Sequence, residues 1–194
     1  MINTYTIVCP EGVINGCEMT KEKRQELYGQ VAGGGGSRKP EAYQRQQIEA
    51  GTTVPCPKTN MRINKLSCVM EENAQPMRKD DGYDWTENFD GFQQFGSDQK
   101  LTVWVNLKSV VGTGGSQTRT LRDECYPFIN AQLCYLIKAK TVYTYFANIF
   151  DGDEAASNMS KFQRLLALPE YSGVKKYVYV GDLKGYFDWL KTIG

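Results

Sequence analysis

Two long apolar runs, residues 101–111 and 141–150, constrain the fold of this 194-residue chain more than any other feature. In the first, Leu101, Val103, Val105 and Leu107 alternate with Thr102, Trp104, Asn106 and Lys108, the two-residue period of a strand. The second carries Tyr145, Phe146, Ile149 and Phe150 and is apolar almost throughout, which fits a strand more deeply buried than the first. Between them lies a long helical pattern that begins near Ser116 or Thr118 and reaches about Lys138, with a kink expected at Pro127.

The flanking segments extend this alternation. Residues 83–95 read as a strand that meets 101–111 across the turn-rich stretch 96–100, forming a hairpin across which Trp85 and Trp104 are expected to face one another. Upstream, Leu66, Cys68 and Met70 alternate with polar residues and predict another strand. Downstream come a helix from Ser157 ended by Pro169, a buried strand over 174–180, and a last helix capped by Asp182 and running through Trp189. The order after Asn64 is β-β-β-α-β-α-β-α. It predicts an α/β (α+β) domain, residues 61–194, with a central mixed sheet built from a β-meander followed by α-β-α-β-α.

Residues 1–60 read as a helical N-terminal extension. A short strand at 4–8 precedes a helix with Thr20 at its N-cap. A glycine-rich loop at 33–37 is expected to be mobile, and a second helix around 41–49 ends before Pro55 and Pro57. The length suits one domain with one substantial core.

Composition narrows the chemistry. A net charge of +1 sets up no strong global field toward nucleic acid or membrane, so any such partner must be held by a local site. No segment approaches the roughly 20 apolar residues of a membrane span, and the N-terminus lacks a basic region followed by an apolar run. A soluble, intracellular, non-secreted protein is expected. The 6 cysteines are scattered and form no C-x-x-C pair, the pattern of reduced packing thiols. With 0 histidines, zinc sites that need histidine and Ser-His or Cys-His nucleophiles are excluded. Acid–base or metal chemistry must rest on carboxylates, lysine, tyrosine or water.

The hairpin supplies such a set. Asp84, Glu87 and Asp90 lie at the end of one strand, where pairing brings them toward Asn106 and Lys108 on the next. Carboxylates there suit Mg²⁺, with Asp90 and Glu87 as metal ligands, while Lys108 orients or helps deprotonate a water that attacks a phosphate. The same residues also read simply as a solvated strand face, and Asp90–Gly91 as a turn dipeptide. A second candidate is the loop at 112–116 leading into the helix, where glycines and free helical amides suit an anion, and Ser116, Gln117, Arg119 and Arg122 would contact phosphate or DNA. It matches neither a Walker loop nor a dinucleotide fingerprint, and it also reads as an ordinary β-to-α turn. A third is Asp151–Glu154 at the end of the apolar strand, which reads more readily as a turn and helix start.

Asp90 followed by Asn106, Leu107 and Lys108 on the next strand resembles the PD-(D/E)XK nuclease superfamily, over roughly residues 64–180. The resemblance implies a restriction-endonuclease-like fold and a metal-dependent DNA endonuclease in which Asp90, Glu87, Asn106 and Lys108 form the catalytic set and Mg²⁺ the cofactor. Asn106 departs from the pattern, because an amide brings no negative charge where the family carries an acid; Glu87, Asp123 or Glu124 would have to replace it. Two other readings stand beside this one. The chain could be a catalytically inactive descendant of that fold, serving as a structural or assembly protein, viral in origin, with a homo-oligomer or assembly partner. It could also be a phosphate- or nucleotide-binding α/β module using the 112–116 loop.

Overall fold

The computed structural model describes residues 6–13, 16–28, 38–80, 82–96, 101–111 and 119–193. Of the predicted strand at 4–8, residues 4 and 5 lie outside them, and residues 6–8 have no regular structure. The 33–37 loop, Ser116 and Gln117 are also outside the described residues.

The architecture is mixed α/β around a mixed sheet, as the apolar runs predict, but the expected β-meander contributes only one hairpin to it, because residues 61–72 and 78–83 pair in two small separate sheets. Strands β5 (Gly91–Phe95), β6 (Leu101–Ser109), β7 (Thr144–Asp151) and β8 (Val178–Gly181) lie in that spatial order. β5 pairs antiparallel with β6, placing Phe92 opposite Trp104. β6 pairs parallel with β7, and β7 parallel with β8. The parallel pairs need long crossovers. They are supplied by a six-residue π-helix (Thr120–Cys125) continuing into α3 (Tyr126–Ala139), and by α4 (Asp153–Leu166).

Alternation along β6 separates two apolar clusters. On one face Trp104, Phe146 and Phe150 pack with Phe128 and Ile129 of α3 and with Phe162 and Leu165 of α4. On the other, Val103, Val105, Leu107, Ala147 and Ile149 meet Ile48 of α2 (Arg38–Thr52) and Leu183, Tyr186 and Phe187 of α5 (Leu183–Leu190). The sheet is therefore covered on both faces, which is why β7 is apolar on both. Asp182 caps α5 by accepting from the Gly185 N–H at 2.7 Å, and Thr20 accepts from the Lys23 N–H at the start of α1 (Lys21–Tyr28).

Three local expectations are corrected. Residues 64–70 are not one strand, because β1 (Met61–Ile63) and β2 (Met70–Glu72) form a hairpin around them. Asn64 Oδ1 accepts from the N–H groups of Leu66 and Ser67, an Asx turn that leaves Leu66 80% exposed. Pro127 does not kink a long helix. The π-helix ends with the Tyr126 N–H reaching Leu121 O, and Pro127 falls in the first turn of α3, where a missing N–H costs little. Trp85 does not face Trp104; it bridges to Asn64, and Trp104 packs on Phe92 and Phe89 instead. Two further small strands, β3 (Arg78–Lys79) and β4 (Gly82–Tyr83), pair between β2 and β5.

Candidate active site

The segment 84–90 is fixed by its one fully buried apolar residue. Phe89 is buried among the rings of Trp104, Phe128 and Phe146, with centroids 5.7, 4.8 and 5.5 Å away, and its N–H donates to Met61 O. That anchor holds Glu87 and Asp90 on either side of it against β6. Gly91 follows at a point where a Cβ would stand 2.8 Å from Cys56 Sγ, so only glycine lets the chain pass here and bring Asp90 beside β6.

Asp90 enters the β6 ladder through its side chain. Its N–H donates to Val105 O at 2.8 Å, and its Oδ2 accepts from the Leu107 N–H at 2.7 Å. Burial pushes its carboxyl up to about 6, against the pull of the Leu107 amide and of Lys108. Lys108 points from the opposite strand face to Leu107, with a side chain 19% exposed, and its Nζ lies 3.3 Å from Glu87 Oε2. Burial alone would lower its pKa, but the carboxylates of Glu87 and Asp90, with Cys125 and Glu124, outweigh burial and raise it. The surrounding carboxylates thus favour the ammonium form of Lys108.

The π-helix and α2 add two more carboxylates. Burial raises the Glu124 pKa, Glu87 adds to the rise and Lys108 opposes it. Glu41, half-buried on α2, is raised by burial and by Glu87 and is drawn down by Lys108, Arg45 and Lys58. One turn along α2, Arg45 donates to Asp90 O at 3.3 Å. Cys125 lies on the same side, its thiol pushed up to about 12 by burial and so kept neutral. Four carboxyl groups from three chain segments thus act on Lys108, and Arg45 acts on two of them, Asp90 and Glu41, an excess of negative charge that favours a cation. Glu87 and Asp90 also line an open cleft of about 530 Å³ with Arg62, Tyr83, Trp85 and Asn88.

The remaining predicted residues are placed elsewhere. Asn106 shares the Lys108 face of β6 but is 1% exposed, and its Nδ2 donates to Asn148 Oδ1 at 3.1 Å. Gln132 exchanges two hydrogen bonds with Asn148, which also donates to Tyr179 O. Asn106 thus belongs to a buried amide network, while Glu124 on the next element is a carboxylate that acts on Lys108. Asp84 caps a turn by accepting from the Met77 N–H. Asp123, the other reserve acid, instead clamps Arg122 through contacts of 2.6 and 3.0 Å on the exposed side of the π-helix. Arg119 is exposed and acts electrostatically on Asp123. Of the third candidate, Asp151 is sealed inside. It accepts from Gln44 Nε2 at 2.6 Å and from the Leu183 N–H, and burial pushes it up to about 7, while Asp153 and Glu154 sit in the first turn of α4.

Glu41 and Arg45 were not legible as site residues. Their spacing of four puts them on one helix face, but nothing in the sequence links that face to Lys108. Among the described residues no three acidic or cysteine side chains close into a ready metal cage, and no helix is long and apolar enough to cross a membrane. Comparison with family models, with curated proteins and with solved structures gives no match for this chain.

Proposed function

We propose that the chain is a metal-dependent endonuclease of the restriction-endonuclease-like kind, hydrolysing phosphodiester bonds in DNA. The observation that carries the reading is the convergence of Asp90, Glu87, Glu124 and Glu41 on the half-buried ammonium of Lys108. The donor set fits Mg²⁺, which takes one or two carboxylates and fills its other positions with water and substrate phosphate. Asp90 and Glu87 would hold it, with Glu124 replacing the acid that Asn106 lacks. When bound, the ion lowers the pKa of a water and polarises the phosphoryl oxygens.

The protein residues do the rest. Lys108 keeps its charge and is placed to stabilise the negative charge that builds on the phosphorane oxygens as water attacks and the alkoxide leaves. Glu87 orients Lys108 through their ion pair, and Arg45 fixes the Asp90 backbone. Glu41 or Glu124, each with a raised pKa, is the carboxylate suited to take up the proton that the water loses.

The test is cleavage of supercoiled plasmid at low salt with Mg²⁺ or Mn²⁺, comparing wild type with Lys108→Ala and Glu124→Gln. Metal-dependent nicking lost in both variants supports the reading. Well-folded wild type that cleaves nothing with either metal sinks it. The second reading, an inactive descendant used in assembly, draws on the withdrawal of Asn106 into the amide network. In that case the carboxylates have no substrate to act on.

A further inference from the structure

The π-helix has a second side, and it borders a groove. Leu121, Arg122 and Tyr126 form one wall, and Asn158, Lys161, Phe162 and Arg164 of α4 the other, enclosing about 460 Å³. Its floor is apolar, with Leu121 and Phe162 buried, while Tyr126 is 38% exposed at its edge. The rim is cationic. Arg122 is shared with Asp123, Lys161 donates to Asn158 Oδ1 at 2.5 Å, and Arg164 donates to Ser160 O at 3.3 Å. An ammonium carries three donors and a guanidinium five, so these single internal bonds leave Lys161 and Arg164 able to bind an anion.

We propose that this groove binds a single-stranded segment of nucleic acid, its phosphates on Arg122, Lys161 and Arg164 and an unpaired base against Tyr126. An apolar floor beneath a cationic rim matches the two halves of a nucleotide. The excess positive charge selects a polyanion. A duplex keeps its base faces stacked and would leave the floor uncovered. The inference rests on the nuclease reading for its choice of polyanion, since the groove borders the π-helix that also carries Glu124.

The experiment uses the full chain and a fluorescein-labelled 12-nucleotide single-stranded DNA, with binding read by anisotropy in EDTA from 50 to 200 mM KCl. The double variant Lys161→Ala/Arg164→Ala binds roughly tenfold more weakly at the lowest salt, and its log–log salt slope falls by about 1.4, the loss expected for two phosphate contacts. Tyr126→Ala weakens binding of the normal strand roughly tenfold but not that of an abasic strand. Both wall positions are exposed and off the core, and Tyr126→Phe restores binding if stacking is the cause. Unchanged affinity and slope in the double variant overturn the proposal. So does a 12-base-pair duplex or a poly-glutamate peptide binding as tightly as the single strand.

Hydrolysis of bis(p-nitrophenyl) phosphate with Mg²⁺ or Mn²⁺ separates the two ideas, since that small diester reaches the Lys108 site without needing the groove. Hydrolysis with groove-independent DNA binding sinks the groove alone. Groove-dependent DNA binding without hydrolysis of either substrate supports the groove and sinks the nuclease reading.

Discussion

Asp90 and Asp151 are both carboxyls driven upward by burial, one to about 6 and the other to about 7, yet their surroundings differ in kind. Asp90 opens onto a cleft and shares Lys108 with Glu87 and Glu124. Asp151 is 2% exposed and is met by a glutamine amide and a helix N–H, with no cation among the causes that set its pKa. Burial alone perturbs both, so a perturbed carboxyl does not by itself mark a site. What separates them is the company of opposite charge and an opening to solvent.

The comparison breaks most sharply at Lys108. If the Asp90 cluster is catalytic, Lys108→Ala lowers plasmid cleavage by about 10²–10³-fold, the loss typical when one group stabilising the transition state is removed. Asp151→Asn leaves cleavage unchanged. Equal losses in both variants would mean that the first acts only through folding.

Asp151→Asn should instead show in stability. The folded pKa of Asp151 is raised above its unfolded value of 3.8, so its favourable contribution is fully present below about pH 4 and is lost as pH rises through about 7. Ionising it in place costs up to about 4 kcal/mol at about 1.4 kcal/mol per unit. The substitution removes that cost, and the new amide nitrogen can donate to Gln44 once that side chain turns its unpartnered Oε1 inward. Urea unfolding at pH 5 and pH 8 is expected to show wild type losing more stability between the two values than the variant, which keeps only the smaller loss that Asp90 contributes. A wild type as stable at pH 8 as at pH 5 would refute the buried-carboxyl account.

The amide network between β6, β7 and α3 predicts a smaller effect. Asn148→Leu strands the buried amides of Asn106 and Gln132 and is expected to cost about 2–3 kcal/mol in chemical denaturation. If the loss is no greater than that of a surface substitution, the network does not stabilise the sheet.

Much of this was legible beforehand where the signal is local. The alternation along residues 101–109, the apolar run that forms β7 and the caps at Thr20 and Asp182 each depend on neighbouring residues, and each reads directly. The approach of Asp90 to the stretch of β6 that carries Lys108 was legible because one hairpin carries both. The Asx turn at Asn64 was not, because a period-two pattern across a four-residue turn imitates a strand. Glu41 was not legible for a different reason: α2 reaches the site only by packing Ile48 on the far face of the sheet, a tertiary contact that no local pattern encodes. Asn106 looked like a ligand because it stands two residues before Lys108, yet its direction is set by Asn148, 42 residues away.

The smallest predicted effect is the most discriminating. Asp123 and Glu124 are neighbours on the π-helix, and the sequence offered either as the missing acid. The structure separates them. Both are exposed, but the Asp123 carboxyl is held low by the Arg122 guanidinium, whereas that of Glu124 is raised by partial burial and by Glu87 and opposed by Lys108. Exposed ion pairs contribute little, so Asp123→Asn is expected to leave both the melting temperature and plasmid cleavage within error of wild type. Glu124→Gln, changing one atom a single residue later, is expected to lower metal-dependent cleavage by about a hundredfold while the fold is retained. Equal activity in the two variants would mean that the wider turn of the π-helix does not deliver Glu124 to the chemistry, and Glu41 would become the acid to remove next.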